Sequence, residues 1–330
     1  MEMEVKCFDH GLRVSQWMIR IMAAVLAMLI PGLGGVAKAS EGLTYGGPRG
    51  GTDINGAYLP QASGFYGIAL LWGAAPNAYY GDNGGPGTLK FHGKAAVPGL
   101  GLLYVYPFKL AGGTLATSVL QIYAFQRMCV NGTCLTKKQW GDLYSDILMW
   151  SKHIGPDPSP GALPYGLTVK AALSMQFPTG AYDPHSPTPS AGFNIYRIIP
   201  NVALTYLTGP NVLGDGVELS TQIFYGMTTT NEATHYASGD TVDIDFAVSE
   251  RTGQWQYGLA GLYAWQLQGD KKNGMEVPGG NKIGVVSLGP VVAYRIPGWK
   301  SVIKAKVLLP VYARNTAHQV TAVVTIVKAF

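Results

Sequence analysis

The stretch from Gln254 to Gln268 reads QWQYGLAGLYAWQLQ and decides the fold class, because its polarity alternates every second residue. Successive side chains of a β-strand project to opposite faces. One face would carry Trp255, Tyr257, Leu259, Gly261, Tyr263, Trp265 and Leu267, and the other Gln254, Gln256, Ala260, Gln266 and Gln268. Aromatic residues near both ends of the apolar face are typical of a strand that crosses a bilayer between two interfacial girdles.

The same alternation recurs in residues 167–177, 217–227 and 242–249. A soluble β-sandwich also alternates, but its strands are usually shorter than these segments of about ten to fourteen residues. Short connections (110–113, 208–214, 250–253 and 296–298) alternate with long polar ones (75–98, 126–140, 178–192, 228–240 and 268–281). The sequence therefore predicts an all-β protein, a transmembrane antiparallel up-and-down β-barrel of about 12 strands over residues 65–330, with both ends in the periplasm.

The first 39 residues predict a signal peptide. Arg13 and Arg20 precede an apolar stretch at 21–36, and Ala37-Lys38-Ala39 has the small-x-small form of a cleavage site. A membrane-anchoring helix is the alternative, although proline and glycines interrupt this short run. Residues 40–64 are glycine-rich and predict a segment that either plugs the lumen or lies in the periplasm, and the sequence does not choose between them.

Composition and cysteines fit an exported barrel. Charged residues make up 13% of the chain, and the net charge of +5 comes without a run of like charges, which argues against nucleic-acid binding. Cys129 and Cys134 bracket an Asn-Gly turn, which predicts a disulfide in an oxidising compartment. Metal binding is the alternative, but no histidine lies near enough to complete a site, so the sequence predicts no metal.

The sequence predicts no enzyme and no cofactor. The five histidines beyond the signal peptide are scattered, and a Gly-x-Ser-x-Gly motif is missing. Charged residues expected to face the lumen are the candidate solute path: Lys170, Arg197, Glu218, Asp243, Asp245, Lys304 and Lys306. Such groups either fill the interior as ion pairs or line a polar constriction.

The last segment ends on Phe330, with apolar residues behind it at even spacing. It resembles the terminal strand by which the outer-membrane assembly machinery recognises its clients. Lys328 departs from that pattern, where an apolar residue would be usual.

The octapeptide FPTGAYDP at 177–184 resembles the outer-membrane family associated with the meta-pathway of phenol degradation. The resemblance continues through Asn194 and Tyr196, YASG at 236–239 and QLQGD at 266–270. The family typically has Asn-Arg-Trp where this chain has Asn-Ile-Tyr at 194–196. The resemblance implies a barrel that helps aromatic or other hydrophobic compounds cross the outer membrane. Tyr182, in a proline-stiffened loop, could stack on such a ring or pack against its own loop.

We therefore expect passive uptake of small hydrophobic or aromatic compounds across the outer membrane of a Gram-negative cell. A weakly selective porin for polar solutes, a lipid-modifying enzyme and a purely structural barrel are the alternatives. The expected partners are outer-membrane lipids, the assembly machinery and the solute, without nucleic acid, while the oligomeric state stays open.

If the signal peptide is cleaved after Ala39, the mature protein begins at Ser40, because Ala37 and Ala39 fit the small pockets of signal peptidase. Amino-terminal sequencing of the membrane-extracted protein checks this expectation. A retained Met1 or Met18 would contradict it.

Overall fold

A computed structural model describes residues 45–47, 51–155 and 163–330. The predicted signal peptide lies outside these residues. Within them, no helix is long and apolar enough to cross a membrane.

The described chain consists of β-strands joined by turns and loops. The strands are β1 Gly64–Tyr80, β2 Phe91–Leu110, β3 Gly113–Val130, β4 Thr133–Trp140, β5 Leu143–Ile154, β6 Gly166–Phe177, β7 Arg197–Leu207, β8 Gly216–Thr228, β9 Tyr236–Ala237, β10 Thr241–Thr252, β11 Trp255–Gln266, β12 Lys271–Lys272, β13 Met275–Glu276, β14 Gly284–Ile296, β15 Ser301–Arg314 and β16 Thr316–Ala329. A 3-10 turn at Pro297–Trp299 joins β14 to β15, and β9, β12 and β13 form a small separate sheet.

The large sheet closes on itself, because β1 pairs with both β2 and β16. Its other long strands pair with their sequence neighbours, all antiparallel. Strands β4 and β5 occupy successive parts of the same side of β3, so the 13 strands of this sheet form a closed 12-strand barrel. The predicted fold class and strand number are confirmed.

The exposure of the side chains confirms the predicted alternation. On β11, Leu259 is 65% exposed on the outer surface, whereas its neighbour Ala260 is 1% exposed inside the barrel. Buried polar residues, such as Ser174 on β6 and Glu218 on β8, likewise face inward between outward apolar neighbours. The barrel therefore has an apolar outside and a mostly polar inside.

The two ends of the barrel differ. We call the end at which β1 begins and β16 finishes the terminal end, and the opposite one the loop end. Most terminal-end turns are short, and loops 178–196, 229–240 and 267–283 cover the loop end. The connections expected at 75–98 and 126–140 are instead mostly strand, because β1 to β4 extend beyond the lengths predicted for them.

Aromatic rings outside the barrel gather near both ends. Near the terminal end, the ring centroids of Phe65 and Tyr104 lie 4.7 Å apart. Near the loop end, those of Tyr123 and Trp140 lie 4.9 Å apart. Two such belts flanking an apolar band are the arrangement found in barrels that span a bilayer.

Cys129 and Cys134 form the predicted disulfide across the β3–β4 hairpin. His92 on β2 lies opposite Cys129 on β3, and its ring nitrogen lies within 4.8 Å of both sulfur atoms. The expectation that no histidine lies near the cysteines is therefore wrong, because pairing of β2 with β3 joins residues far apart in sequence. The oxidised sulfurs are bonded to each other, so they are not thiolate ligands.

Arginine at Leu259 should destabilise the barrel by about 2 to 4 kcal/mol, because the charge would meet hydrocarbon near the middle of β11. Unfolding in lipid vesicles, followed by heat-dependent gel mobility, measures the change. Leu213→Arg is the control, since Leu213 is 68% exposed in the β7–β8 turn. Equal effects of the two substitutions would contradict the assignment of Leu259 to lipid.

Candidate functional site: a segment bound inside the barrel

Most of the described residues that precede β1 lie inside the barrel, and we call residues 45–47 and 51–63 the lumenal segment. Its Tyr45 amide donates to Thr316 Oγ1 at 3.2 Å, at the loop end of β16. Its Ala57 amide donates to Thr205 Oγ1 at 3.0 Å, near the terminal end of β7. The segment therefore follows the lumen from one end towards the other before β1 begins.

A tight turn shapes the segment near the terminal end. Asn55 has a φ of 64°, a conformation that asparagine tolerates better than most residues. The Tyr58 amide then donates to the Asn55 carbonyl at 3.0 Å. The turn places the Asn55 side chain against the wall, where its Nδ2 donates to Gln256 Oε1 at 3.1 Å.

Asp53 is the main ionic anchor of the segment. Its carboxylate is 1% exposed, accepts a hydrogen bond from Lys304 Nζ at 2.8 Å, and pairs with Lys306 Nζ. Burial by itself raises the pKa of Asp53, but the two ammonium groups outweigh burial and hold the pKa below its usual range. Because the folded-state pKa is lowered, the ionised anchor stabilises the folded state at neutral pH and is lost as the pH falls through that lowered pKa.

Two further carboxylates of the wall bind the segment. Asp245 accepts hydrogen bonds from the Thr52 amide and the Thr52 hydroxyl, both at 3.0 Å. Glu218 accepts from the Asn55 amide at 2.6 Å and pairs with Arg251 at 2.5 Å. The Arg251 guanidinium also donates to the Asn55 side chain. Each of these buried charges thus has a partner, as burial requires.

At the loop end of the barrel, Arg197 binds the lumenal segment and Asp142 binds the loop that precedes β7. The Arg197 guanidinium donates to the Gly46 carbonyl of the lumenal segment. Asp142, between β4 and β5, accepts from the amides of Gly180 at 2.8 Å and Phe193 at 2.9 Å. Burial raises the pKa of Asp142 despite these hydrogen bonds. The loop that contains Tyr182 is thereby tied to the barrel rim.

Lys170 and Asp243 are bonded within the wall. Lys170 Nζ donates to Gln222 Oε1 at 3.2 Å, and Gln222 in turn donates to Asn201 Oδ1 at 2.7 Å. Asp243 Oδ2 accepts from Thr241 Oγ1 at 3.0 Å. A polar network therefore lines β6, β7, β8 and β10.

An apolar patch of the lumen wall lies on the neighbouring strands β10, β11, β14 and β15. Tyr45 and Ile54 of the lumenal segment pack in one buried cluster with wall residues that include Leu262, Val291 and Leu308. A cavity of about 30 Å³ lies beside Tyr45. Its lining includes Leu308, Pro310, Tyr312 and Ala313 of β15 and Thr316, Ala317, Gln319 and Thr321 of β16.

The cavity lies where the hydrogen-bonded ladder between β15 and β16 stops. Their pairing runs from Ser301–Lys328 to Leu308–Thr321, whereas both strands continue to the loop end paired with their other neighbours. Pro310 lacks an amide hydrogen, and a bulge follows it in β15. We call this unpaired stretch, residues 309–314 and 316–320, the seam.

Five of the seven predicted lumenal charges bind the lumenal segment, namely Arg197, Glu218, Asp245, Lys304 and Lys306. Asp53, Asn55 and Arg251 were missed as site residues. Arg251 follows Asp243 and Asp245 at even spacing on the same strand, so the alternation could have predicted that its side chain faces the lumen. No periodic pattern marks Asp53 and Asn55, because they lie in an irregular segment.

Two histidines of the described residues hydrogen-bond to neutral side chains. His153 Nδ1 lies 3.1 Å from Thr168 Oγ1, and His318 Nδ1 lies 2.9 Å from Asn77 Oδ1. Neither of these hydrogen bonds joins a histidine to a serine.

A closed antiparallel barrel with an apolar outer band and a polar interior is the architecture of outer-membrane β-barrel proteins. Among solved structures, the COG4313 outer membrane channel from Pseudomonas putida F1 is similar to this chain with a TM-score of 0.69 and 13% identity, over 84% of this chain and 100% of that one. The Ralstonia pickettii toluene transporter TbuX has a TM-score of 0.39 and 10% identity, over 81% of this chain and 89% of that one.

The sequence itself assigns the family. The profile described as putative MetA-pathway of phenol degradation matches residues 80–326, so the chain belongs to that family. No curated protein matches the sequence. The predicted resemblance to this family is confirmed.

Asp53→Asn should loosen the lumenal segment and raise the ion conductance of the barrel several-fold. The substitution leaves two lysine side chains without their carboxylate, at a cost on the order of 3 kcal/mol for a buried pair. Single-channel recording in planar bilayers measures the conductance. Asp215→Asn is the matched control, because Asp215 accepts from the Gly253 amide in the turns of the terminal end. An unchanged conductance in Asp53→Asn would contradict the role of Asp53 as an anchor of the lumenal segment.

Proposed function

We propose that this protein is a channel of the Gram-negative outer membrane for the passive uptake of small hydrophobic or aromatic compounds. The observation that carries the proposal is the apolar cavity at the seam, next to a lumen that the lumenal segment fills. A route for apolar solutes therefore lies beside a polar route that is obstructed.

The barrel surface supports a location in the membrane. Leu259 and its outward neighbours form an apolar band between aromatic belts, as lipid-facing surfaces require. In this proposal the terminal end faces the periplasm and the loop end faces outward. The end of β16, where the Phe330 amide donates to the Phe65 carbonyl at 3.2 Å, is the proposed contact for the assembly machinery.

The lumenal segment disfavours a general porin. Polar solutes would have to pass the Asp53–Lys304 pair, which ties the segment to the wall, and the Arg251–Glu218 pair of the wall, both members of which bind Asn55 of the segment. Breaking a buried pair by removing one partner leaves an uncompensated charge. A neutral apolar solute at the seam does not need to break either pair.

An apolar solute dissolved in the membrane can reach the cavity from the side. Backbone hydrogen bonds are missing between residues 309–314 and 316–320, so parting the strands there breaks no ladder between them. The cavity of about 30 Å³ is smaller than the ~150 Å³ that accommodates benzene in a protein core. Passage therefore requires Tyr45 and its neighbours to move, which makes the seam a gate.

The proposal assigns no catalytic reaction to the chain. The solved structure with a TM-score of 0.69 is that of a channel. Transport by this barrel would be energy-independent and driven by the concentration of the solute. Tyr182, in the loop at the outer end, is the proposed first contact of a solute that arrives from water.

Uptake of a labelled aromatic hydrocarbon by vesicles that contain the protein tests this function. Ala317→Trp should reduce uptake to near the rate of protein-free vesicles, because Ala317 is 7% exposed and lines the cavity. Ala322→Trp is the matched control, since it places the same bulk on the outer face of β16. Equal uptake with and without wild-type protein would overturn the proposal, and equal effects of the two variants would overturn the seam route.

A further inference from the structure

Three cationic side chains stand on neighbouring rows of β2, β3 and β4 near the loop end. Lys94 lies opposite Arg127, and Lys138 lies opposite Phe125, two residues before Arg127. Cross-strand partners project to the same face of a sheet, as do residues two apart on one strand. Lys94, Arg127 and Lys138 therefore share one face, which we call the basic face, and all three are exposed.

The basic face lies on the outside of the barrel. Phe125 and Trp140, which belong to the same face, are 44% and 59% exposed. Met128, adjacent to Arg127 on the opposite face, is 5% exposed and packs against Phe91. The three cations thus point away from the lumen and take no part in the solute route.

No acidic residue neutralises these charges from their own strands, because the sequence contains no Asp or Glu between Asp82 and Asp142. Among the described side chains, the close ion pairs with carboxylates use Arg251, Lys304 and Lys306. The basic face consequently presents three unpaired positive charges over a surface of three strands.

Aromatic rings fix the depth of the basic face relative to the membrane. The Tyr123 ring contacts the Phe125 ring at 5.1 Å and the Trp140 ring at 4.9 Å between centroids. Such rings lie at the level of lipid headgroups. Arg127 follows Phe125 by two residues, or about 7 Å along the strand, away from the barrel middle. Lys94 and Arg127 therefore stand just above the ring belt, and Lys138 stands level with Phe125 at its upper edge.

We propose that the basic face binds the phosphate groups of a phosphorylated lipid headgroup in the outer leaflet. The inference goes beyond solute uptake, although it rests on the proposed membrane location with the loop end outward. A guanidinium binds phosphate through two parallel hydrogen bonds, and lysine ammonium groups add point charges around it. The alkyl stems of both lysines pack on the ring belt while their charged ends reach the headgroup.

Binding of purified lipid A to the detergent-extracted full chain, measured by native mass spectrometry, tests the proposal. The triple variant Lys94→Gln, Arg127→Gln and Lys138→Gln should bind lipid A at least about 10-fold more weakly than wild type. The matched control is Lys109→Gln, Arg295→Gln and Lys300→Gln, which removes one arginine and two lysines that are exposed near the terminal end. The control should bind as wild type does, and dephosphorylated lipid A should bind wild type as weakly as lipid A binds the triple variant.

Heat-dependent gel mobility verifies that each variant is folded. The single substitution Lys138→Gln, on the edge of the hairpin, should also weaken the binding of lipid A, but less than the triple variant does. Undiminished binding by the triple variant, or equal losses in the triple variant and its control, would overturn the proposal. Competition by inorganic phosphate at the concentration of lipid A would also overturn it, because the site would then bind soluble anions. Aromatic uptake by the triple variant should stay at the wild-type rate, which separates this test from that of the channel.

Discussion

A strand surrounded by hydrocarbon must pair every backbone amide and carbonyl, and this constraint governs the rest of the structure. The sheet satisfies it over most of its length by closing through β1 and β16, whereas the seam at the loop end is paired on one side of each strand only. Closure creates an interior, and a 12-strand barrel is wider than the roughly eight-strand barrel that side chains alone can fill. The lumenal segment occupies the part of the interior that the side chains of the wall do not fill. Its own polar backbone then needs partners, which explains why Thr52, Asn55 and Ala57 all donate amide hydrogen bonds to wall side chains.

The lumen is divided between two kinds of packing. Ion pairs join Asp53 of the segment to β15, and hydrogen bonds join Thr52 and Asn55 to carboxylates of β10 and β8. Tyr45 and Ile54 instead pack on apolar side chains of β11, β14 and β15. Charged contacts resist separation because each leaves a buried charge behind, but apolar contacts can slide and reform. The weaker boundary therefore lies on the apolar side, beside the seam. In the proposed function, the same barrel obstructs ions and still yields to an apolar solute.

The alternation along β11 predicts which side chains face lipid, because a one-residue shift would reverse every side chain. Strand number follows from the spacing of turns such as Ala111-Gly112. The lengths of β1 to β4 could not be predicted, because their outer parts pair above the apolar band and no longer need to alternate. Lysines at 304 and 306 were assigned to the lumen from their spacing, yet their partner Asp53 lies more than two hundred residues away in an irregular segment. The seam depends on where pairing stops, which depends on the bulge after Pro310 rather than on polarity.

The central claim is that the lumenal segment lies bound inside the folded barrel. It is tested most directly by a disulfide between Ala57→Cys and Thr205→Cys, in a chain that also carries Cys129→Ser and Cys134→Ser. The Ala57 amide and Thr205 Oγ1 lie 3.0 Å apart, so mild oxidation of the folded protein in vesicles should join the two cysteines within one chain. Folded barrels in which both cysteines stay unlinked and react freely with a water-soluble thiol reagent would contradict the account.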